Sequence, residues 1–385
     1  MERNSSGCSN RLHATEQGCS PTLDRRRVLA LGGAAVAGAT GLAGCIGDDD
    51  APTYERQAEY ERVSQAGTSW EDLPDLHGQL TIYSGRREEQ IGPVFDQLEE
   101  YYDDLTINIR YDDNEVHVQQ IDEEGENSPA DLLYTQDSGT LGALAGMDRT
   151  VELPDDVLET VPESYRDPNG TWTGVSGRTR CVAFNTDTWD ADDLPDDIFE
   201  YPNDDRFVDE MGWRVDSGSF LAFVRAMMIE NGDDTTREFI EDMQAAGIQD
   251  NEGGSTTPDA VVAGEISIGF VNQYYVGRLL ADRPDATIDV TFTDGDVGSL
   301  FNVSGAAVVD TSDQQELAVD VVRHLLGTEG QEFFVDTNRE YAVIEGVEYV
   351  GELPTIDEIN PPQFDLNQLA DVEPAVDLLR DVGLR

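Results

Sequence analysis

Hydrophobic positions alternate in short runs and then recur at helical spacing, one pattern after the other along most of the chain. Gly78 to Tyr83 alternates as a strand and closes on the turn Ser84-Gly85. Ile91 to Tyr102 is helical by spacing, with Ile91, Val94, Phe95 and Leu98 on one face. Leu105 to Tyr111 is a second alternating strand, a polar helix follows, and Ala130 to Tyr134 is a third strand. This alternation predicts a parallel α/β sheet. Beyond a short helix at Leu141–Ala145, turn-rich segments lead to a strand entry at Ser176–Arg180, and a second α/β run opens at Val182–Phe184 and Trp213–Val215. Helices are predicted at 220–230, 236–246 and 258–263, then a strand at Ile266–Phe270 and a helix from Val276 to Ala281. Ile288–Phe292 and Ala306–Val309 read as strands, and 314–326, 329–336 and 366–379 as helices. Two α/β units whose late strands return to the first predict two lobes with a cleft between them.

Chemistry concentrates where strands end, the usual place for ligands in open α/β sheets. Val271-Asn272-Gln273-Tyr274-Tyr275 sets two phenols side by side between a strand and a helix. Deprotonated phenols are hard oxygen ligands suited to Fe³⁺, although most such pairs pack one ring in a core and lay the other on the surface. Asp216-Ser217-Gly218-Ser219-Phe220 and the loop 251–258, with Ser255, lead into helices whose free N–H groups suit an anion or simply accept a cap. Tyr83 to Arg87 places two guanidinium groups after the first strand, and Tyr134-Thr135-Gln136-Asp137 ends the third.

Charge changes the picture. The 385 residues carry 80 acidic side chains against 24 basic ones, all Arg, for a formal net charge of −56. Such a chain repels nucleic acid, while regular apolar patterning argues against disorder. The composition resembles proteins of extreme halophiles, in which concentrated salt screens self-repulsion. Residues 1–44 read as an export signal: Asp24-Arg25-Arg26-Arg27-Val28-Leu29 resembles a twin-arginine motif, and a small-residue apolar run ends in the lipobox-like Leu42-Ala43-Gly44-Cys45. Cys45 is then the lipidated first residue of the mature chain, and 45–76 an acidic tether. Cys181 alone remains in the mature fold, so no internal disulfide forms. No nucleophile–base pair and no GxSxG, HExxH or P-loop pattern marks an enzyme.

Six blocks in order carry a resemblance: LTIYSGR at 80–86, SPADLLYTQD at 128–137, SGRTR at 176–180, DSGSF at 216–220, VAGEISIGFVNQYY at 262–275 and NVSGAAVV at 302–309. From about Gln79 onward the chain resembles the ferric-iron-binding solute-binding proteins of ABC importers. The resemblance implies a bilobal type II periplasmic-binding-protein fold closing by hinge motion, with residues 77–180 and 304–355 in lobe 1 and 181–303 and 356–385 in lobe 2. It implies Tyr274 and Tyr275 as Fe³⁺ ligands, with Ser217, Gly218, Ser219 and Asn272 holding a phosphate or carbonate that completes the shell. Arg87 stands where many members carry a His ligand and Gln136 where they carry Glu; Phe220 replaces an extra Tyr of another branch, and Gly254 a common Asn. Arg87, Arg178 and Ser255 are then anion-binding candidates, and Gln136, Asp137 and Asp216 further metal candidates. The implied partners are an ABC permease with its ATPase, reached by a lipid-anchored monomer on the outer face of the membrane. Thiamine, polyamine or phosphonate as cargo on the same fold, or a secreted α/β enzyme, are the alternatives.

Overall fold

The computed structural model describes residues 67–251, 256–347, 349, 351 and 353–385. The export motif, Cys45, most of the tether and Ser255 lie outside the described residues. The first unit is built from β1 (Gly78–Ser84), α1 (Glu88–Tyr101), β2 (Leu105–Tyr111), α2 (Asn114–Glu124), β3 (Leu132–Thr135), α3 (Ser138–Gly146) and α4 (Asp155–Leu158). β4 (Thr173–Asn185) leads into β5 (Met211–Trp213), α5 (Gly218–Asn231), α6 (Asp233–Ala245), β6 (Gln249–Asp250), α7 (Thr256–Ala263), β7 (Ile268–Asn272), α8 (Gln273–Asp282) and β8 (Ile288–Thr291). The chain then returns through β9 (Phe301–Val308), α9 (Gln315–Leu325), α10 (Thr328–Asp336) and β10 (Tyr341–Ala342), and ends in α11 (Glu373–Asp381).

β1 pairs in parallel with β2 and β3, as the βαβ pattern predicts, and β9 joins antiparallel to β3. β5 pairs in parallel with β7 and β6 in the second unit. What joins them is β4, 13 residues long and buried throughout. Its first half pairs with β9 as far as Thr179–Phe301; from Arg180–Asn272 onward it pairs with β7 and β8. One strand therefore belongs to both sheets and changes partners between Thr179 and Arg180.

Four expectations need correction. The tether does not run to residue 76: Trp70, Leu73 and Leu76 are buried, Trp70 Nε1 donates to the His324 carbonyl at 2.8 Å, and Ser69 Oγ donates to Glu329 at 2.6 Å. β4 is one strand rather than two, because Arg178 and Arg180 are buried within it. α8 begins at Gln273, so both tyrosines lie in its first turn and not ahead of it. The C-terminal helix is interrupted: Leu366–Leu369 forms a 3-10 turn, and α11 restarts with Pro374 in its first turn, where the missing N–H costs nothing. Leu369 lies so close on α3 that Gly139 leaves no room for a side chain beneath its carbonyl, while α11 packs on α5.

Candidate metal centre

The C-terminal ends of β1, β2, β3, β5 and β7 open into one cleft of about 810 Å³. Arg86, Arg87 and Gln136 reach it from the first unit, and Arg214, Asp216 to Ser219, Asn272, Tyr274 and Tyr275 from the second. Arg178 comes from the strand between them. The two phenol rings are 4.2 Å apart at 35°, Tyr274 buried and Tyr275 half-buried. Burial and a hydrogen bond with Tyr275 push the Tyr274 phenol above its ordinary pKa, while Arg86 and Arg178 pull it down. The Arg278 guanidinium covers the Tyr274 ring at 5.3 Å. Among the described residues no group of three or more His, Cys, Asp and Glu converges as a metal site.

The cleft floor is cationic. Arg86 pairs with Glu340 at 2.8 Å and donates to Ser304 Oγ at 2.7 Å, and Arg178 donates to the same hydroxyl at 3.2 Å. Ser176 Oγ donates to Glu340 at 2.9 Å. Burial alone would raise the Glu340 carboxyl, but the Arg86 and Arg178 charges outweigh it and hold it below the usual range. Arg86 pairs with this buried carboxylate and Arg178 acts on it through its charge, so two guanidinium groups and one carboxylate leave the floor one positive charge in excess.

Facing it is the start of α5. Ser217 is the N-cap and accepts from the Phe220 N–H at 3.2 Å; its Oγ also lies 3.2 Å from Ser219 Oγ. A Cβ on Gly218 would meet no protein atom within 4 Å. Asn272 caps α8 without a side-chain cap bond and lines the cleft. Donors from a helix N-terminus beside a cationic floor suit an anion.

The remaining candidates are placed unequally. Arg87 lines the cleft, exposed, with no carboxylate partner among the described residues. Gln136 is also there, but its amide donates to the Gly85 carbonyl at 2.7 Å and its backbone carbonyl accepts from Arg178. Asp216 sits at the rim, paired with Arg214 at 2.5 Å. Asp137 is turned away from this cleft: it caps α3 through the Thr140 N–H at 2.8 Å and accepts from Asn114 Nδ2. Its N-cap duty removes it as a metal candidate, and the Asp137-Ser138-Gly139-Thr140 run carried that signal.

The family of bacterial extracellular solute-binding proteins matches residues 87–332. The chain belongs to that family. Its structural neighbours share the bilobal type II fold. Iron-bound HitA from Pseudomonas aeruginosa matches at TM-score 0.74 and 29% identity, over 80% of this chain and 99% of that one. In sequence this solute-binding protein is 26% identical over 375 residues to iron uptake protein A1 of Synechocystis sp., covering 94% of this chain and 98% of the relative. It is 25% identical over 314 residues to the major ferric iron-binding protein of Neisseria meningitidis serogroup A, covering 80% and 93%.

Sequence reasoning overlooked several residues that support the lining of this cleft. Ser304 and Glu340 complete the floor from segments 218 and 254 positions beyond Arg86. Asn114 holds the β1 and β3 ends together: its Oδ1 accepts from the Gln136 N–H at 3.3 Å, and it lies so close to Gly85 that no Cβ fits there. Only the glycine in Ser84-Gly85 hinted at this contact.

Proposed function

We propose that this solute-binding protein captures ferric iron outside the membrane and delivers it to an ABC permease. The paired phenols of Tyr274 and Tyr275, lining one cleft with the anion donors of their own lobe, are the observation that carries the reading. Fe³⁺ displaces the phenol protons, and the two phenolates hold it from the second lobe. A phosphate or carbonate on Ser217, Gly218, Ser219 and Asn272 fills the remaining positions, with Arg87 and Arg178 supplying countercharge. Gln136 and Asp216 stand near enough to the cleft to add an oxygen once the lobes close. The absence of any carboxylate or His cluster among the described residues is made good by this anion, whose charge reduces the positive charge buried on closure.

The protein works as a carrier and not as an enzyme. It is exported by the twin-arginine route, anchored through Cys45 and monomeric, and it folds in concentrated salt. The lobes hinge where β4 changes sheets.

Mixing the purified protein with ferric citrate tests the cargo. A visible tyrosinate-to-iron charge-transfer band is expected, lost when both Tyr274 and Tyr275 are changed to Phe. No band, or one that survives the double change, overturns the reading.

A further inference from the structure

At the point where β4 changes sheets, the Thr179 N–H is not taken by another strand. It donates to Oε1 of Gln273 at 3.0 Å, and Gln273 Nε2 donates to the Arg339 carbonyl at 3.3 Å. Thr179 and Gln273 are both fully buried. Gln273 is the first residue of α8 and immediately precedes the tyrosine pair.

The turn that Gln273 reaches is itself tied to both units. Asn338 donates to the Gln90 carbonyl of α1 at 2.9 Å and accepts from Arg278 of α8, at 3.1 Å on its backbone oxygen and 2.7 Å on Oδ1. Glu340 takes Arg86 from the end of β1 and Ser176 from the first half of β4. Between them Arg339 has φ +57°, a left-handed conformation uncommon outside glycine that persists only where the surroundings enforce it. α8 approaches so closely that a Cβ on Gly277 would lie 3.0 Å from the Arg339 Cβ. Hence one side-chain amide joins the crossing strand, the first turn of α8 and a turn anchored in the opposite sheet.

We propose that Gln273 is a positioning residue that makes the angle between the lobes and the placement of Tyr274 and Tyr275 change together. Rotation about the Thr179–Arg180 step moves Oε1's donor relative to the Arg339 carbonyl, and the α8 start must follow. Iron held by the tyrosines then resists opening, and opening withdraws the tyrosines from Arg86, Arg87 and Gln136 of the first lobe. The inference rests on the ferric reading, which supplies its readout.

The experiment loads the full chain with ferric nitrilotriacetate at high salt and follows three signals. These are the charge-transfer band, the radius of gyration by solution scattering, and amide exchange over 176–180 and 337–341. In the wild type the band forms, the protein compacts and both segments gain protection. Gln273→Met, which removes donor and acceptor at similar length, is expected to form the band, compact less and lose iron to excess chelator about tenfold faster, the factor for roughly 1.4 kcal/mol of lost hydrogen bonding. Gln273→Glu keeps the acceptor for Thr179 and falls between the two. If the Met variant does not fold by circular dichroism, Gln273→Asn, too short to span both partners, replaces it. Wild-type compaction and release in the folded variant, or no change of protection in the wild type on loading, overturns the inference alone. No band in the wild type removes the ferric reading and the inference with it.

Discussion

Gly218 stands at the first position of α5 with open space where a side chain would project. Protein packing therefore does not require glycine there, and Ala at a helical position gains up to about 1 kcal/mol in helix propensity. A methyl group in that direction instead occupies the mouth of the α5 N-terminus, where the proposed anion sits. Gly218→Ala should leave the thermal midpoint unchanged or slightly raised while weakening ferric binding, measured by titration with and without phosphate. Equal affinity in the variant would place the anion elsewhere. At this scale the sequence revealed what neighbours along the chain do together: Ser217 with Ser219, and Tyr274 with Tyr275. It could not reveal Glu340 under Arg86, since a buried ion pair 254 residues apart has no local pattern. Asp137 defeats a sequence reading for a different reason. A carboxylate at a strand end before a helix has two uses, and the cap wins because Asn114 and Thr140 both reach it.

Among the elements, β4 shows how a functional strand hides. Arg178 and Arg180 interrupt its apolar run, so periodicity splits it, yet burial of both is what lets the strand serve the cleft and cross between sheets. Periodicity sets the α8 start too late for a similar reason: Gln273 and the tyrosines do not resemble the apolar stripe that begins at Val276. α9 offers a test independent of cargo. His324 is buried, with Nδ1 2.6 Å from the Asp320 carbonyl and Nε2 2.8 Å from the Tyr102 hydroxyl. Burial lowers its pKa from 6.5 to about 4, so the unfolded chain takes up a proton more readily between those values. Its stabilising contribution is complete above about pH 6.5 and fades as pH falls toward 4, by up to about 3 kcal/mol. Thermal midpoints of the wild type and His324→Gln, compared at pH 7 and 4.5, should show the larger fall in the wild type. Parallel falls would exclude His324 as the cause, because carboxylate titration is common to both proteins.

For the whole molecule, a net charge of −56 outweighs every other electrostatic feature, and packing does not account for it. The cleft meanwhile gathers six of the chain's 24 basic residues, among them Arg87, Arg178 and Arg278. Repulsion across the rest of the surface opposes compaction unless it is screened, and at about 0.1 M salt the screening length is still about 10 Å. The thermal midpoint should climb steeply between about 0.1 M and multimolar NaCl; a flat midpoint would mean that the acidic surface is not tuned to salt. The bilobal plan was legible because two βαβ series recur along the chain, whereas the point of entry was not, since Trp70 lies in an otherwise polar stretch. That entry has a mechanical meaning. The polypeptide joins the fold where Trp70 and Ser69 are pinned to His324 and Glu329, on the β1–β3 half. A tug from the preceding chain is delivered to that half alone. The half bearing Tyr274 and Tyr275 is the one left free to swing, like the unclamped jaw of a vice.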